Sequence, residues 1–153
     1  MIKINRKVEY GLVALTYMMG KPNGQLTSVR EICENFGAPF DPLAHVMRIL
    51  NTNGLVKSEQ GARGGYRLVG DVTGIAFGDF IEMIEDHPLA FATCVLENDH
   101  RCNMENRCNI MSPMHHFHNR LMEFMRSVTL GDLMDKRIPP PFSLEMPASR
   151  AAI

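Results

Sequence analysis

The stretch SVREICENFGAPFDPLAHVMRILNTNGLVKSEQGARGGYRLV, running from Ser28 to Val69, decides the fold. Ser28 with Glu31 fits a capping box, and Val29, Ile32, Cys33 and Phe36 recur at i, i+3, i+4 and i+7 before Gly37 stops the run. The spacing predicts a short helix with Cys33 on its buried face. Asp41 is then a good N-cap with Pro42 at the first helical position, and Leu43, Val46, Met47 and Leu50 repeat the same spacing until Asn53-Gly54. This second helix hides those four and exposes Ala44, His45, Arg48, Asn51 and Thr52. Two amphipathic helices joined by about four residues around a glycine make a helix-turn-helix, whose second helix can lie in a major groove about 12 Å wide.

Two packed core helices of an all-α domain share that pattern, and the residues that follow separate the two readings. Leu55 to Gln60 and Tyr66 to Val69 read as strands around the turn Gly61-Ala62-Arg63-Gly64-Gly65. A hairpin directly after a helix-turn-helix is a wing. Arg63 beside three glycines lets backbone and guanidinium approach phosphates or enter a minor groove. The candidate DNA-binding residues are Ser28, Arg30, Asp41, His45, Arg48, Arg63, Tyr66 and Arg67.

Upstream, Asn5 caps a helix in which Val8, Leu12, Leu15 and Met19 keep helical spacing until Lys21-Pro22-Asn23-Gly24. Downstream, Gly78 to Asp86 gives a fourth helix with Phe80, Ile81 and Ile84 as its apolar stripe and a solvated acidic face of Asp79, Glu82 and Glu85. From about Asn109 a longer helical pattern runs through Met114, Phe117, Leu121, Phe124, Met125 and Val128. A helix of that kind projecting from a small domain needs a partner, and two-fold DNA readers pair such helices; a Met-rich stripe packed on its own domain is the alternative. Thr129 with Asp132 caps a last short turn, Leu130 to Met134. The tail from Ile138, with Pro139-Pro140-Pro141 and Pro147, cannot continue a helix and is expected to be disordered. The fold class is therefore mostly α with a small β wing. It divides into a winged helix-turn-helix domain at 1–76, a connecting helix and cysteine loop at 77–108, a dimerisation helix and short helix at 109–135, and a tail at 136–153.

The chain has 153 residues, 45% hydrophobic and 22% charged, the size of one domain with a core of its own. No run approaches the roughly 20 apolar residues of a bilayer span, and the start lacks the apolar segment of a secretory signal. A cytoplasmic protein without a membrane partner is expected, with reduced thiols. The net charge of -1 hides an asymmetry, +4 over residues 1–70 and -5 over residues 71–153, so a polyanion would dock on the first half.

Cys94, Cys102 and Cys108 stand in a polar stretch that offers almost nothing apolar to pack against. Spacings of seven and five intervening residues let a flexible loop wrap three sulfurs around one metal centre. The absence of a CxxC pair fits a structural zinc finger poorly, and iron-sulfur ligation, zinc and a redox-active thiol set all stay open. No Ser/His/Asp order, phosphate-binding glycine motif or paired carboxylates are present, and His115-His116-Phe117-His118 are too close in sequence for a zincin-like site. A non-enzymatic protein is expected; an iron-sulfur or zinc protein with an enzymatic or electron-transfer role on a winged-helix scaffold is the alternative.

Over about residues 2 to 135 the chain resembles the winged-helix iron-sulfur transcription regulators that include IscR, the nitric-oxide sensor NsrR and the iron regulator RirA. The resemblance rests on Val8-Glu9-Tyr10-Gly11-Leu12, Thr27-Ser28-Val29-Arg30-Glu31-Ile32, Asn53-Gly54-Leu55-Val56, the wing Gly61 to Leu68, the three cysteines and Thr129-Leu130-Gly131-Asp132-Leu133. It implies a homodimeric regulator, a repressor, that binds a pseudo-palindromic operator in double-stranded DNA. Its 2Fe-2S or 4Fe-4S cluster, held by Cys94, Cys102 and Cys108, would sense iron-sulfur supply, nitric oxide or redox stress. The chain departs from the pattern at three places. Met111 stands where IscR-like members carry a histidine ligand, so the resemblance to the NsrR branch implies Glu9, reaching over from the other subunit, as the fourth ligand, with His115, His116 and His118 as alternatives. Gln60 replaces an arginine common before the first wing glycine, and Arg63 is its substitute. Ala44 replaces a glutamate that reads a base, so the operator sequence cannot be borrowed.

Overall fold

The computed structural model describes residues 4–61, 64–95 and 107–135. In chain order these form α1 (Arg6–Met19), α2 (Val29–Phe36), α3 (Phe40–Thr52), β1 (Val56–Glu59), β2 (Gly65–Leu68), α4 (Phe77–Glu85), a 3-10 turn (Thr93–Val95), α5 (Met111–Ser127) and α6 (Leu130–Met134). The expected element order holds, with shifts of one or two residues at several ends.

Helix α1 starts where Asn5 Oδ1 accepts the Lys7 N–H at 3.2 Å, as its sequence predicts. The Asn5 amide also donates to Glu85 Oε2 at 3.0 Å, which ties the beginning of α1 to the end of α4. Val8, Ala14, Leu15 and Met18 face inward, and Gly11 sits where the Phe80 ring of α4 presses on the helix. A Cβ on Gly11 would lie 2.8 Å from Phe80 Cζ, so only glycine lets the two helices come this close. One hydrophobic core runs through Leu15 of α1, Ile32 of α2, Leu43, Val46, Met47 and Leu50 of α3, Val56 of β1, and Phe80 and Ile84 of α4.

β1 and β2 pair antiparallel, with Val56 opposite Leu68 and Glu59 opposite Gly65. Thr27 adds an isolated bridge to Tyr66: each residue's N–H donates to the other's carbonyl, at 2.8 and 2.9 Å. Gly65 permits this close approach, since a Cβ there would meet the Thr27 carbonyl oxygen at 2.8 Å.

The chain returns to the same core after α5. Val128 and Leu130 are buried, the Phe77 N–H donates to the Val128 carbonyl at 2.7 Å, and the Leu130 N–H to the Ile75 carbonyl at 2.9 Å. Thr129 and Asp132 complete the expected capping box of α6. The acidic face of α4 is not simply solvated, as its sequence suggested. Arg126 of α5 reaches Asp79 at 3.5 Å and Glu82 at 3.9 Å, and Glu82 also accepts the Leu89 N–H at 3.0 Å. Helix α5 itself contributes only Met122 to the buried set among the described residues. The expected tail at 136–153 lies outside the described residues.

Candidate nucleic-acid interface and thiol site

Gly37 closes α2 in the left-handed region at φ 66°, its N–H donating to the Cys33 carbonyl at 2.8 Å. The chain then turns through Ala38 and Pro39 into α3. Asp41 is not the cap of α3: Pro39, extended at ψ 138°, occupies that position without a side-chain cap, and the helix begins at Phe40. Asp41 instead lies in the first turn, where its charge faces the positive end of the helix dipole. Leu43, Val46, Met47 and Leu50 are buried as expected, and Asp41, His45, Arg48 and Thr52 line the exposed edge. Ala44 and Asn51 flank that edge half-buried. Asn51 Oδ1 accepts the Ser58 N–H at 2.8 Å and so fastens α3 to the root of the wing.

Ser28 caps α2 by accepting the Glu31 N–H at 3.1 Å, but the capping box is only half made. The Glu31 carboxylate turns instead to the Lys21 ammonium and to the Tyr17 hydroxyl, which donates to it at 2.7 Å. Lys21 also stands 4.8 Å above the Tyr17 ring, and the Phe36 ring meets Tyr17 edge-on at 5.4 Å. Lys21, and after it Tyr17, hold the Glu31 carboxyl below its usual range, whereas donation to Glu31 raises the Tyr17 hydroxyl. This knot fixes α2 against α1 and sets the platform from which α3 projects. Its partners lie ten and fourteen residues apart, so no helical or strand spacing announces it. Phe36, expected on the apolar face of α2, is 51% exposed and completes the knot from outside.

Arg30 on α2 and Arg48 on α3 are exposed, and neither pairs with a carboxylate among the described residues. Arg67 differs, because its Nε sits 3.1 Å from Glu59 Oε1 across the wing and its charge is shared. Tyr66 is half-buried against the core, so its position in the interface is that of a wing anchor. Arg63 at the wing tip lies outside the described residues.

Cys94, in the 3-10 turn, and Cys108, just ahead of α5, are half-buried free thiols at the two ends of the segment that carries Cys102, itself outside the described residues. Cys33 is half-buried against the core from α2, as its spacing predicts. Glu9 lies in the first turn of α1 and pairs with Arg6 at 3.1 Å. Among the described residues no three His, Cys, Asp or Glu side chains gather into a metal-binding group, so Glu9 does not meet Cys94 and Cys108 within one protomer. His118 is half-buried on α5 with its Nδ1 unpartnered, while His115 and His116 are exposed.

A helix-turn-helix followed by a fixed wing, with an exposed polar edge that carries His45 and Arg48 on the second helix, defines a winged-helix protein of the DNA-binding type. The chain belongs to the Rrf2 family, described as iron-dependent transcriptional regulator, whose model matches residues 4–136. Members of that family are transcription regulators and not enzymes. The chain is similar to CymR of B. subtilis, titled the global cysteine regulator, at 27% identity and a TM-score of 0.63 over 89% of this chain and 98% of that one. T. potens IscR matches at 25% identity and a TM-score of 0.59 over 88% of each chain. Staphylococcus aureus CymR, at 22% identity and a TM-score of 0.63 over 86% of this chain and 97% of that one, shares the fold. No helix among the described residues is long and apolar enough to cross a membrane.

Proposed function

We propose that the chain is a homodimeric, cytoplasmic transcription repressor that binds a pseudo-palindromic operator in double-stranded DNA and responds to an iron-sulfur cluster held by Cys94, Cys102 and Cys108. The observation that carries the DNA-binding reading is the exposed edge of α3, where His45 and Arg48 stand without a carboxylate partner among the described residues. Ser28 at the cap of α2, Arg30 on α2 and Arg67 on the wing are further candidate contacts, as is Arg63, which lies outside the described residues. Phosphate contacts of this kind release counterions, so affinity should fall steeply with salt, by about -0.9 in the slope of log K for each phosphate neutralised. Titration of promoter DNA at several salt concentrations tests this, and an affinity equal for Arg48→Ala and wild type sinks it.

The donor set fits the group. Cys94 and Cys108 are free thiols half-buried at both ends of one segment, and soft thiolate sulfur suits iron-sulfur chemistry. A bound cluster would supply a centre that oxidants, nitric oxide or iron depletion alter. The chain's part is to transmit that change through packed elements: the 3-10 turn with Cys94 rests on α5, α5 rests on α4, and α4 rests on α1 and α3. A change in how the thiols are held would be felt at α3 through this stack, as a shift in the population of its arrangements. Glu9 reaching over from a second copy would complete the donor set with a hard carboxylate oxygen, the member most easily displaced. Anaerobic purification with absorbance, iron and sulfide assays tests the assignment. Cys94→Ala, Cys102→Ala and Cys108→Ala should each lose iron and keep native circular dichroism, whereas Cys33→Ala keeps iron. Glu9→Ala should hold its iron more briefly than wild type. A colourless, iron-free wild type that still binds DNA favours a cluster-free regulator.

A further inference from the structure

We infer that the leading turn of α3 reads the 5-methyl group of thymine in the major groove, with Phe40 as the side chain that sets this specificity. The inference rests on the DNA-binding reading of α3 and deepens it. Phe40 is the first residue of α3 and is 53% exposed. Its counterpart across the turn, Phe36, is comparably exposed yet rests on the Tyr17 ring; Phe40 makes no ring contact among the described residues and does not join the core. An aromatic side chain held in water on the first turn of a helix gains when an apolar surface covers it.

Its position indicates what that surface is. Phe40, Ala44 and Arg48 succeed one another at i, i+4 and i+8, which places them along one ridge of α3 leading from its first turn to the exposed arginine. In a helix-turn-helix the N-terminal residues of the second helix are the ones that reach base edges. Here the residues of the first two turns that are not buried are Phe40, Asp41, Pro42, Ala44 and His45. None of them is an Arg, Lys, Asn or Gln able to bind guanine or adenine through paired hydrogen bonds. The major-groove feature that an apolar side chain recognises is the thymine methyl, and both phenylalanine and alanine serve as its partners. Ala44, half-buried one turn behind Phe40 on the same ridge, adds a second small apolar side chain of the kind that meets a thymine methyl.

The test uses the full-length protein and the duplex that the wild type enriches from a random-sequence pool, synthesised once with thymidine and once with deoxyuridine, which lacks only the methyl. Wild type should lose about fourfold in affinity per methyl buried, and on the order of fifteenfold for two half-sites, on going from thymidine to deoxyuridine. Phe40→Ala should bind the two duplexes within a factor of two, and Phe40→Leu should recover part of the discrimination. Comparing the loss between variants cancels the intrinsic difference between the two DNAs. An equal loss for wild type and Phe40→Ala, or no loss for wild type, overturns the assignment of Phe40 while DNA binding stands. Failure of the wild type to enrich any duplex overturns the DNA-binding reading and this inference with it.

Discussion

Helix α1 and helix α5 are both amphipathic and of similar length, yet they solve the problem of their apolar faces differently. In α1, Val8, Ala14 and Leu15 are wholly buried against α3 and α4 of the same chain. In α5, Met122 alone is buried, Phe117 is 49% exposed, and Ile110 just ahead of the helix is 55% exposed. The first region satisfies itself, whereas the second is held at its C-terminal end, where Arg126 grips α4 and Val128 and Leu130 enter the core, and otherwise by the 3-10 turn and the Phe91 ring, which meets Phe117 edge-on at 5.1 Å. The exposed apolar side chains of Ile110 and Phe117 suit an interaction face, which agrees with the proposed pairing of two copies through α5.

Truncating a core side chain gives the largest expected effect. Phe80, fully buried and pressed on Gly11, should cost about 3–5 kcal/mol when replaced by alanine, measured as a lowered urea midpoint. A cost below about 1 kcal/mol would show that α1 and α4 do not form the packed centre of the protomer.

A smaller effect is expected from the knot that fastens α2 to α1. The Glu31 carboxyl is held below its ordinary 4.5 by Lys21 first and Tyr17 second, so the folded state binds its proton less readily than the unfolded state. Its contribution is complete above the unfolded value and disappears as the pH falls through the lower folded value. Because Glu31 is 35% exposed, solvent screening reduces that contribution to about 0.5–1 kcal/mol. Urea midpoints of wild type and Glu31→Gln should therefore differ near neutral pH and converge in acid; a constant gap at both would show that the ion pair does not stabilise the fold.

An effect of similar size on stability belongs to α5. Phe117→Asp should destabilise the protomer by about 1 kcal/mol, since the side chain is already half in water and what it loses within its own chain is the edge-on contact with the Phe91 ring at 5.1 Å. Sedimentation should then show a loss of the proposed dimer. A variant that unfolds as readily as Phe80→Ala would place α5 inside the protomer's core and abolish the contrast between the two helices.

Local chemistry settled much of the architecture. The periodic apolar residues of α1 to α4, the glycine after α2, the Thr129–Asp132 box and the hairpin after Asn53-Gly54 each act within a few residues, so a linear reading finds them. The exposed polar edge of α3 with His45 and Arg48 was legible for the same reason: fixing which residues are buried fixes which remain outside. What the tertiary structure decided involves partners distant in sequence. The Lys21–Glu31–Tyr17 knot drew Glu31 away from the capping box its spacing had promised, and Arg126 claimed the acids of α4 that looked merely solvated. Pro39 started α3 ahead of Asp41, because an extended residue directly before the helix serves as its boundary without any side-chain cap. The exposed Phe40 followed from that shift. Periodicity tells which side of a helix is apolar, but only packing in three dimensions tells whether an apolar residue at its end finds a neighbour in its own chain or is left facing outward.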